Sequence, residues 1–88
     1  MRARSTNDAE ALALSALAAT FTDERRAERF LHLSGIDTED LRRRAAEPVL
    51  LAALIRFLEA HEPDLIQVAH AIGVKPDELV AAREELEA

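Results

Sequence analysis

The sequence predicts an all-α protein, and three observations support this prediction. Alanine, leucine, glutamate and arginine dominate the composition, whereas Tyr, Trp and Cys are absent and only two glycines occur. Such a composition favours helix and leaves little of the β-branched and aromatic material that sheets contain. Apolar residues also recur at helical spacing, and each of the three prolines stands where a helix would begin. We expect a flexible tail over residues 1–6 and one compact domain of five or six short helices over residues 7–88.

Residues 48–61 form the predicted centre of this domain. The apolar side chains of this segment spread over roughly 200° of a helical wheel, well beyond the ~100° stripe of an ordinary surface helix. These residues are Leu50, Leu51, Ala53, Leu54, Ile55, Phe57 and Leu58. A helix this apolar must be packed against from several directions. We therefore expect the other helices to surround it.

Two helices are predicted before the first glycine. The first runs from a capping pair, Asn7 with Glu10, to about residue 20. The second begins at Thr22 or Asp23 and ends at Leu33. The residues expected to face inward are Leu14, Leu17 and Phe21 in the first helix and Ala27, Phe30, Leu31 and Leu33 in the second. The residues of the second helix expected to face solvent are Arg25, Arg26, Glu28, Arg29 and His32.

Gly35 is expected to end the second helix. A glycine in the left-handed region would let Ile36 fold back onto Leu31, as a Schellman motif requires. Asp37 is then well placed to cap a short third helix over residues 38–46.

The prolines mark the starts of the remaining three helices. Pro48 disfavours a helical conformation at Glu47 before it, and its missing N–H costs nothing in a first turn. Pro63 opens a fifth helix that Gly73 ends, and Pro76 opens a sixth that finishes in a glutamate-rich segment.

Two stretches of the chain, residues 30–41 and 68–79, resemble each other. Both carry a histidine, a glycine, an aliphatic residue, two acidic residues and a leucine at the same steps. Either the chain consists of two related three-helix halves, or two helix–glycine–helix corners select the same residue types. The second stretch is similar to a DNA-binding helix-turn-helix. Its would-be recognition helix is acidic at the start, however, which disfavours contact with phosphates.

Six arginines near the first corner form the candidate binding site. They are Arg25, Arg26, Arg29, Arg42, Arg43 and Arg44. Such a group suits an acidic protein surface or phosphate. The competing interpretation is a solvated face laced with acidic residues, where each exposed ion pair contributes about 0–1 kcal/mol. Residues 45–88 carry the whole net charge of −6, and this acidic half should repel nucleic acid and anionic membrane.

No pattern in the chain points to catalysis or to a metal. The serines lack the base or elbow that activates a nucleophile, and no phosphate-cradling loop is present. His61, Glu62, Asp64 and His70 lack the spacing of known metal ligands. The longest uncharged run, residues 11–22, is shorter than the ~20 residues that span a bilayer. We expect no catalytic residue, cofactor, metal site or membrane partner, and the absence of cysteine suits a reducing cytoplasm.

A set of apolar and capping residues carries a family resemblance. They are Phe30-Leu-x-Leu-Ser-Gly-Ile-Asp, Asp40-Leu-Arg42, Phe57-Leu, Gly73, Pro76, Ala82-Arg83 and Leu86. Through them, residues 12–86 resemble a family of short bacterial all-helical proteins known only as a domain of unknown function. The resemblance implies a small, stand-alone, cytoplasmic bacterial protein. It implies no activity, cofactor or catalytic residue.

Two functions are predicted. The first is a small non-enzymatic adaptor or regulator that binds a protein partner or associates with itself. The alternative is a nucleic-acid-binding regulator that uses a helix-turn-helix-like corner and the arginine-rich face. We expect no binding to generic DNA at physiological ionic strength, because the acidic second half repels phosphate and no Tyr or Trp is available for stacking.

Overall fold

The computed structural model describes residues 6–88, and side chains from Asp8 onward. These residues form six helices: α1 (Thr6–Thr20), α2 (Glu24–Ser34), α3 (Thr38–Arg44), α4 (Pro48–Glu59), α5 (Glu62–Ala71) and α6 (Pro76–Glu87). No strand occurs among them, and the all-α prediction is confirmed. Residues 1–5 of the predicted tail lie outside the described part, whereas Thr6 already belongs to α1. The Asn7 side chain, on which the predicted cap depends, also lies outside the described side chains.

The helix α4 lies at the centre of the core, as predicted. α1, α5 and α6 all pack against it, and α1 and α6 also pack against each other. The largest buried residues of α4 are Leu50, Leu51, Leu54, Ile55 and Leu58. Two residues of the predicted apolar arc are not buried as expected, because Ala53 is exposed and Phe57 is only partly buried. Both face an open groove beside α2, which no other helix fills.

The buried face of α1 consists mainly of alanines. Its buried residues are Ala9, Ala13, Ala16, Leu17, Ala19 and Thr20. Leu14 is exposed, so the prediction that it faces inward was wrong. The helix is apolar on nearly every side, and the pattern therefore does not select a face. Small side chains let α1 approach α4 and α6 closely, and the leucines of those helices fill the space between.

The helix starts have the predicted chemical causes. Asp23 caps α2 by accepting a hydrogen bond from the Arg26 N–H at 3.0 Å. Asp37 caps α3 by accepting one from the Asp40 N–H at 2.8 Å. The three prolines lie in the first turns of α4, α5 and α6. The third helix ends at Arg44, two residues before the predicted end.

The two glycines have the predicted left-handed conformation. Their φ angles are 72° at Gly35 and 77° at Gly73. After α5, the Val74 N–H donates to the Ala69 carbonyl at 2.9 Å and the Gly73 N–H donates to the His70 carbonyl at 3.1 Å. These two bonds define a complete Schellman motif at Gly73.

The ending of α2 is simpler than predicted. The Gly35 N–H donates to the Leu31 carbonyl at 3.0 Å, which is the single bond of the αL motif. The Ile36 N–H, which a Schellman motif would direct to Leu31, donates instead to the Ser34 hydroxyl at 3.3 Å. The Schellman prediction for Gly35 was wrong, because this serine offers the N–H a nearer acceptor.

The two halves of the chain pack differently. α4, α5 and α6 pack with one another, whereas α1 packs on these three more extensively than on α2 or α3. The resemblance between the halves is thus visible at the two glycine corners and not in the arrangement of the helices.

Candidate functional site

An open apolar groove lies between α2 and α4. It has a volume of about 550 Å³, and its apolar lining residues are Phe30, Leu33, Ala53, Phe57 and Ala60. The polar residues that line it are Arg29, Ser34 and His61, and no acidic residue is among the lining residues. Phe30 forms a buried floor, whereas Leu33 is 70% exposed, so the prediction that Leu33 faces inward was wrong. We call this feature the α2–α4 groove.

Three phenylalanines fix the position of α2 beside this groove. They are the only aromatic residues of the chain. The Phe30 ring packs edge-to-face against Phe21, with ring centroids 6.2 Å apart, and against Phe57, with centroids 5.3 Å apart. Edge-to-face pairs of this kind are worth about 0.5–1.5 kcal/mol beyond the burial of their area. The floor of the groove is therefore also the apolar anchor of α2.

Arg29 stands at one edge of the α2–α4 groove. Its guanidinium lies over the Phe57 ring, 5.2 Å from the centroid, and forms an ion pair with Asp64 of α5. The contact with the ring is a cation–π interaction. Asp64 takes one N–H of the guanidinium, and the others have no partner among the described residues. The Arg29 side chain is therefore fixed in position and still has N–H groups that are available to donate to a ligand.

Arg26 is buried, with 7% of its surface exposed, and the prediction that it faces solvent was wrong. Its guanidinium donates to the Ala19 carbonyl at 3.0 Å and to the Thr20 carbonyl at 3.3 Å. It also donates to the Gln67 side chain at 3.2 Å and lies 3.9 Å from the Asp64 carboxylate. Arg26 thus satisfies carbonyls at the C-terminus of α1, which have no partner within their own helix.

The other candidate arginines lie at the surface. Arg43 pairs with Asp40, and Arg44 pairs with Glu47 at 3.0 Å. Arg25 and Arg42 are exposed, and neither forms an ion pair with any described residue. The six arginines therefore have different surroundings: two share Asp64, two pair with neighbouring acids and two form no ion pair with the residues that the structure describes. A binding role for them stays a prediction.

A second ion-pair network joins α6 to α4. Arg56 binds Glu87 with two hydrogen bonds of 2.6 and 2.8 Å, and Arg83 binds Glu59 with two of 2.7 and 3.0 Å. Arg83 also donates to Glu87 at 3.1 Å. Hydrogen bonds from Arg56 hold the pKa of Glu87 below its ordinary value. Those from Arg83 to Glu59 raise the pKa of Arg83.

A smaller groove of about 390 Å³ lies on the other side of Ala53. Val49, which is 75% exposed, lines it together with residues of α4 and the end of α6. The face of α4 that carries Ala53 therefore borders an open groove on each side. The apolar arc predicted for α4 already included Ala53 and Phe57, but nothing in the sequence separated the covered part of the arc from the uncovered part.

No three His, Asp or Glu side chains among those described could together hold a metal ion. From residue 6 to residue 88, no helix is long and apolar enough to cross a membrane.

The architecture is that of a small helical bundle with an open groove on its central helix. The chain belongs to the family described as Protein of unknown function (DUF3572), whose model matches residues 6–88. The resemblance to a family of unknown function is thereby confirmed. No curated protein matches the chain, and no solved structure matches it.

Proposed function

We propose that this protein is a small non-enzymatic interaction module that binds a helical segment of a partner protein in the α2–α4 groove. The observation that supports this proposal is the apolar groove itself, with Leu33 largely exposed above the buried Phe30. Contiguous apolar surface on a small protein commonly marks an interaction site. A groove between two helices is a surface into which an amphipathic helix can lay its apolar face.

A different protein suits this groove better than a second copy of the chain. The large apolar residues exposed in the described part are Leu14, Leu33, Val49 and Ile66. They lie on four different helices, α1, α2, α4 and α5. Helix-in-groove binding requires several apolar anchors on one helix. No described helix exposes more than one large apolar residue, so a second copy lacks the several large anchors that this mode of binding needs.

Site-specific photo-crosslinking tests the proposal. A photoreactive amino acid placed at Leu33 should crosslink, in the cells that make the protein, to one helix of one partner. The same amino acid at Leu14 on α1 is the matched control, because that residue is also apolar and exposed. Ala53→Glu should abolish the Leu33 product, because it puts a charge into the α2–α4 groove.

Three results would count against the proposal: the same products from both positions, no product at Leu33, or a product that survives Ala53→Glu. If the crosslinked product contained only copies of this chain, the groove would be a site of self-association and not a site for a different protein.

Nucleic-acid binding through the arginine-rich face is the second candidate. Arg25 and Arg42, which are exposed and form no ion pair within the described part of the chain, favour it, whereas the burial of Arg26 removes one cation from the surface. Each neutralised phosphate on duplex DNA adds about 0.9 to the slope of log affinity against log salt. We expect the protein not to bind generic DNA at physiological ionic strength. Micromolar, salt-sensitive binding that is lost on charge reversal of Arg42, Arg43 and Arg44 would favour this candidate over the first.

A further inference from the structure

The α2–α4 groove carries a positive charge at one edge. Arg26 and Arg29 share a single carboxylate, Asp64, so this cluster keeps a formal charge of one positive unit. His61 also lines the groove and lies at the same edge, because its carbonyl accepts from the N–H of Asp64, the partner of Arg29, at 2.9 Å. No acidic residue is among the lining residues. In a chain of net charge −6, this edge is a local exception. Its field favours an anionic group on whatever occupies the groove.

We propose that the segment bound in the α2–α4 groove is an amphipathic helix with an Asp or Glu at the end that meets Arg29 and His61. This inference rests on the proposed function and names the chemistry of the partner. The apolar side chains of that helix would pack on Phe30, Leu33 and Phe57. Its carboxylate would accept hydrogen bonds from the free N–H groups of Arg29.

Arg29 is suited to this role because it is already ordered. Its contacts with Phe57 and Asp64 restrict the side chain before any partner arrives. An arginine that is held in place loses less conformational entropy on binding than a freely moving one. Hydrogen bonds between charged groups are also stronger than those between neutral groups. The carboxylate would therefore fix both the direction and the register of the bound helix.

Other occupants fit the groove less well. Sites for small molecules bury most of the ligand, about 70–90% of its surface, whereas this groove is open along α2 and α4. The N-terminal segment of the chain is basic, with the sequence Met1-Arg2-Ala3-Arg4-Ser5. The positively charged edge of the groove would repel it. In a second copy, no described helix exposes more than one large apolar residue to insert.

A displayed peptide library tests this inference. The library consists of short peptides patterned as amphipathic helices, with leucines at helical spacing and every residue type allowed between them. Selection against the full chain should enrich Asp and Glu at one end of the peptides. Binding of a selected peptide should weaken at least tenfold in Leu33→Glu, because a charge would then meet the apolar face.

A double-mutant cycle then locates the carboxylate. Replacing the enriched Glu of the peptide by Gln should weaken binding by about tenfold, as expected for one charged hydrogen bond. The same replacement should change little when the protein carries Arg29→Met. Arg25→Gln on the same helix is the matched control and should leave the tenfold effect intact. His61→Gln gives a second measurement at the same edge, on an exposed residue, should Arg29→Met unfold.

The outcomes separate this inference from the proposed function. Peptides that bind through Leu33 without acidic enrichment, or without coupling to Arg29 and His61, would overturn the inference and leave the interaction module standing. A selection that yields no binder, or binders indifferent to Leu33→Glu, would count against both.

Discussion

The helices α1, α4, α5 and α6 pack on one another through a continuous apolar core, whereas α2 and α3 are attached to that core through few residues. In α2 the buried residues are Arg26, Ala27 and Phe30. The Phe30 ring packs between the rings of Phe21 and Phe57, and Arg26 binds carbonyls of α1. In α3 only Leu41 is buried. The four core helices are thus held together by a large buried apolar area, whereas α2 and α3 are held by a few individual contacts.

This difference places the α2–α4 groove at a boundary between the two regions. One wall, α4, belongs to the core, and the other wall, α2, is held by an aromatic cluster and two arginines. Elements with few buried apolar contacts open locally at lower free energy than the core of a protein. The same contacts that hold α2 in place therefore set the width of the groove, and changes to them should affect binding as well as stability.

The largest effect is expected in the core. Leu54 is fully buried in α4, and Leu54→Ala should cost about 2–5 kcal/mol of the free energy of unfolding. That is a large part of the roughly 5–15 kcal/mol typical of a whole domain. Denaturant melts followed by circular dichroism measure the loss. Arg56→Ala on the exposed side of the same helix is the control, and equal losses in the two variants would contradict the central position of α4.

A smaller effect is expected where α2 is attached. Arg26→Ala removes charged hydrogen bonds to carbonyls of α1, and bonds of this kind contribute about 1.5–3 kcal/mol. The neighbouring Arg25→Ala should stay within about 0.5 kcal/mol, because Arg25 is exposed. Hydrogen exchange should show the amides of α2 losing protection in Arg26→Ala before those of α4. Uniform loss along the chain would mean that the two regions unfold together.

The parts of the fold that depend on local chemistry were predictable. Asp23, Asp37 and the three prolines act on backbone groups within a few residues of themselves, so their effects can be read from the sequence. The same holds for α4, whose wide apolar arc admits few arrangements other than the centre. The glycine corners follow from the one residue type that readily takes a positive φ.

The candidate site was less predictable because it depends on contacts between distant segments. Asp64 and Gln67, the side-chain partners of Arg26, lie on α5, and nothing in α2 indicates them. One local signal existed, since Arg26 precedes Phe30 by four residues and so shares its inward face. A charged residue is seldom buried unless it is paired, and the pair was not visible in the sequence. The α2–α4 groove itself exists only through the placement of α2 beside α4.

The glycine corners provide a direct comparison of the two regions. Apart from the glycine itself and its two chain neighbours, no described residue has an atom within 4 Å of the position that a Cβ would take at Gly35 or Gly73. Gly→Ala should therefore act through backbone strain alone, about 1–2 kcal/mol. At Gly73 the loss should appear in global unfolding, because α5 and α6 belong to the core. At Gly35 it should appear mainly as faster hydrogen exchange in α3. Gly→Asn is the matched control at each corner, because asparagine tolerates this conformation better, and an equal global loss from the two alanine variants would remove the distinction.

The smallest effects are expected from two exposed carboxylates, one in each region. The hydrogen bond from the Arg26 backbone N–H lowers the pKa of Asp23 below its ordinary value of 3.8, and the one from the Arg56 side chain lowers that of Glu87 below 4.5. A carboxyl whose pKa is lower in the folded state binds fewer protons there than in the unfolded chain. Its stabilisation is therefore present above the ordinary pKa and is lost as the pH falls through the lowered one.

Asp23→Asn and Glu87→Gln keep the shape of each side chain and remove the titration. Melting temperatures from about pH 6 to about pH 2 should fall less steeply in each variant than in the natural chain, because the titrating carboxylate is gone. Hydrogen exchange assigns the effect to a region: Asp23→Asn should protect α2 from acid, and Glu87→Gln should protect the end of α6. Asparagine is itself a good N-cap, so α2 should keep its protection at neutral pH in Asp23→Asn. Acid profiles that match the natural chain in both variants would show that neither titration contributes to the pH dependence, and the attachment of α2 would then rest on its buried residues and on Arg29 rather than on the charge of Asp23.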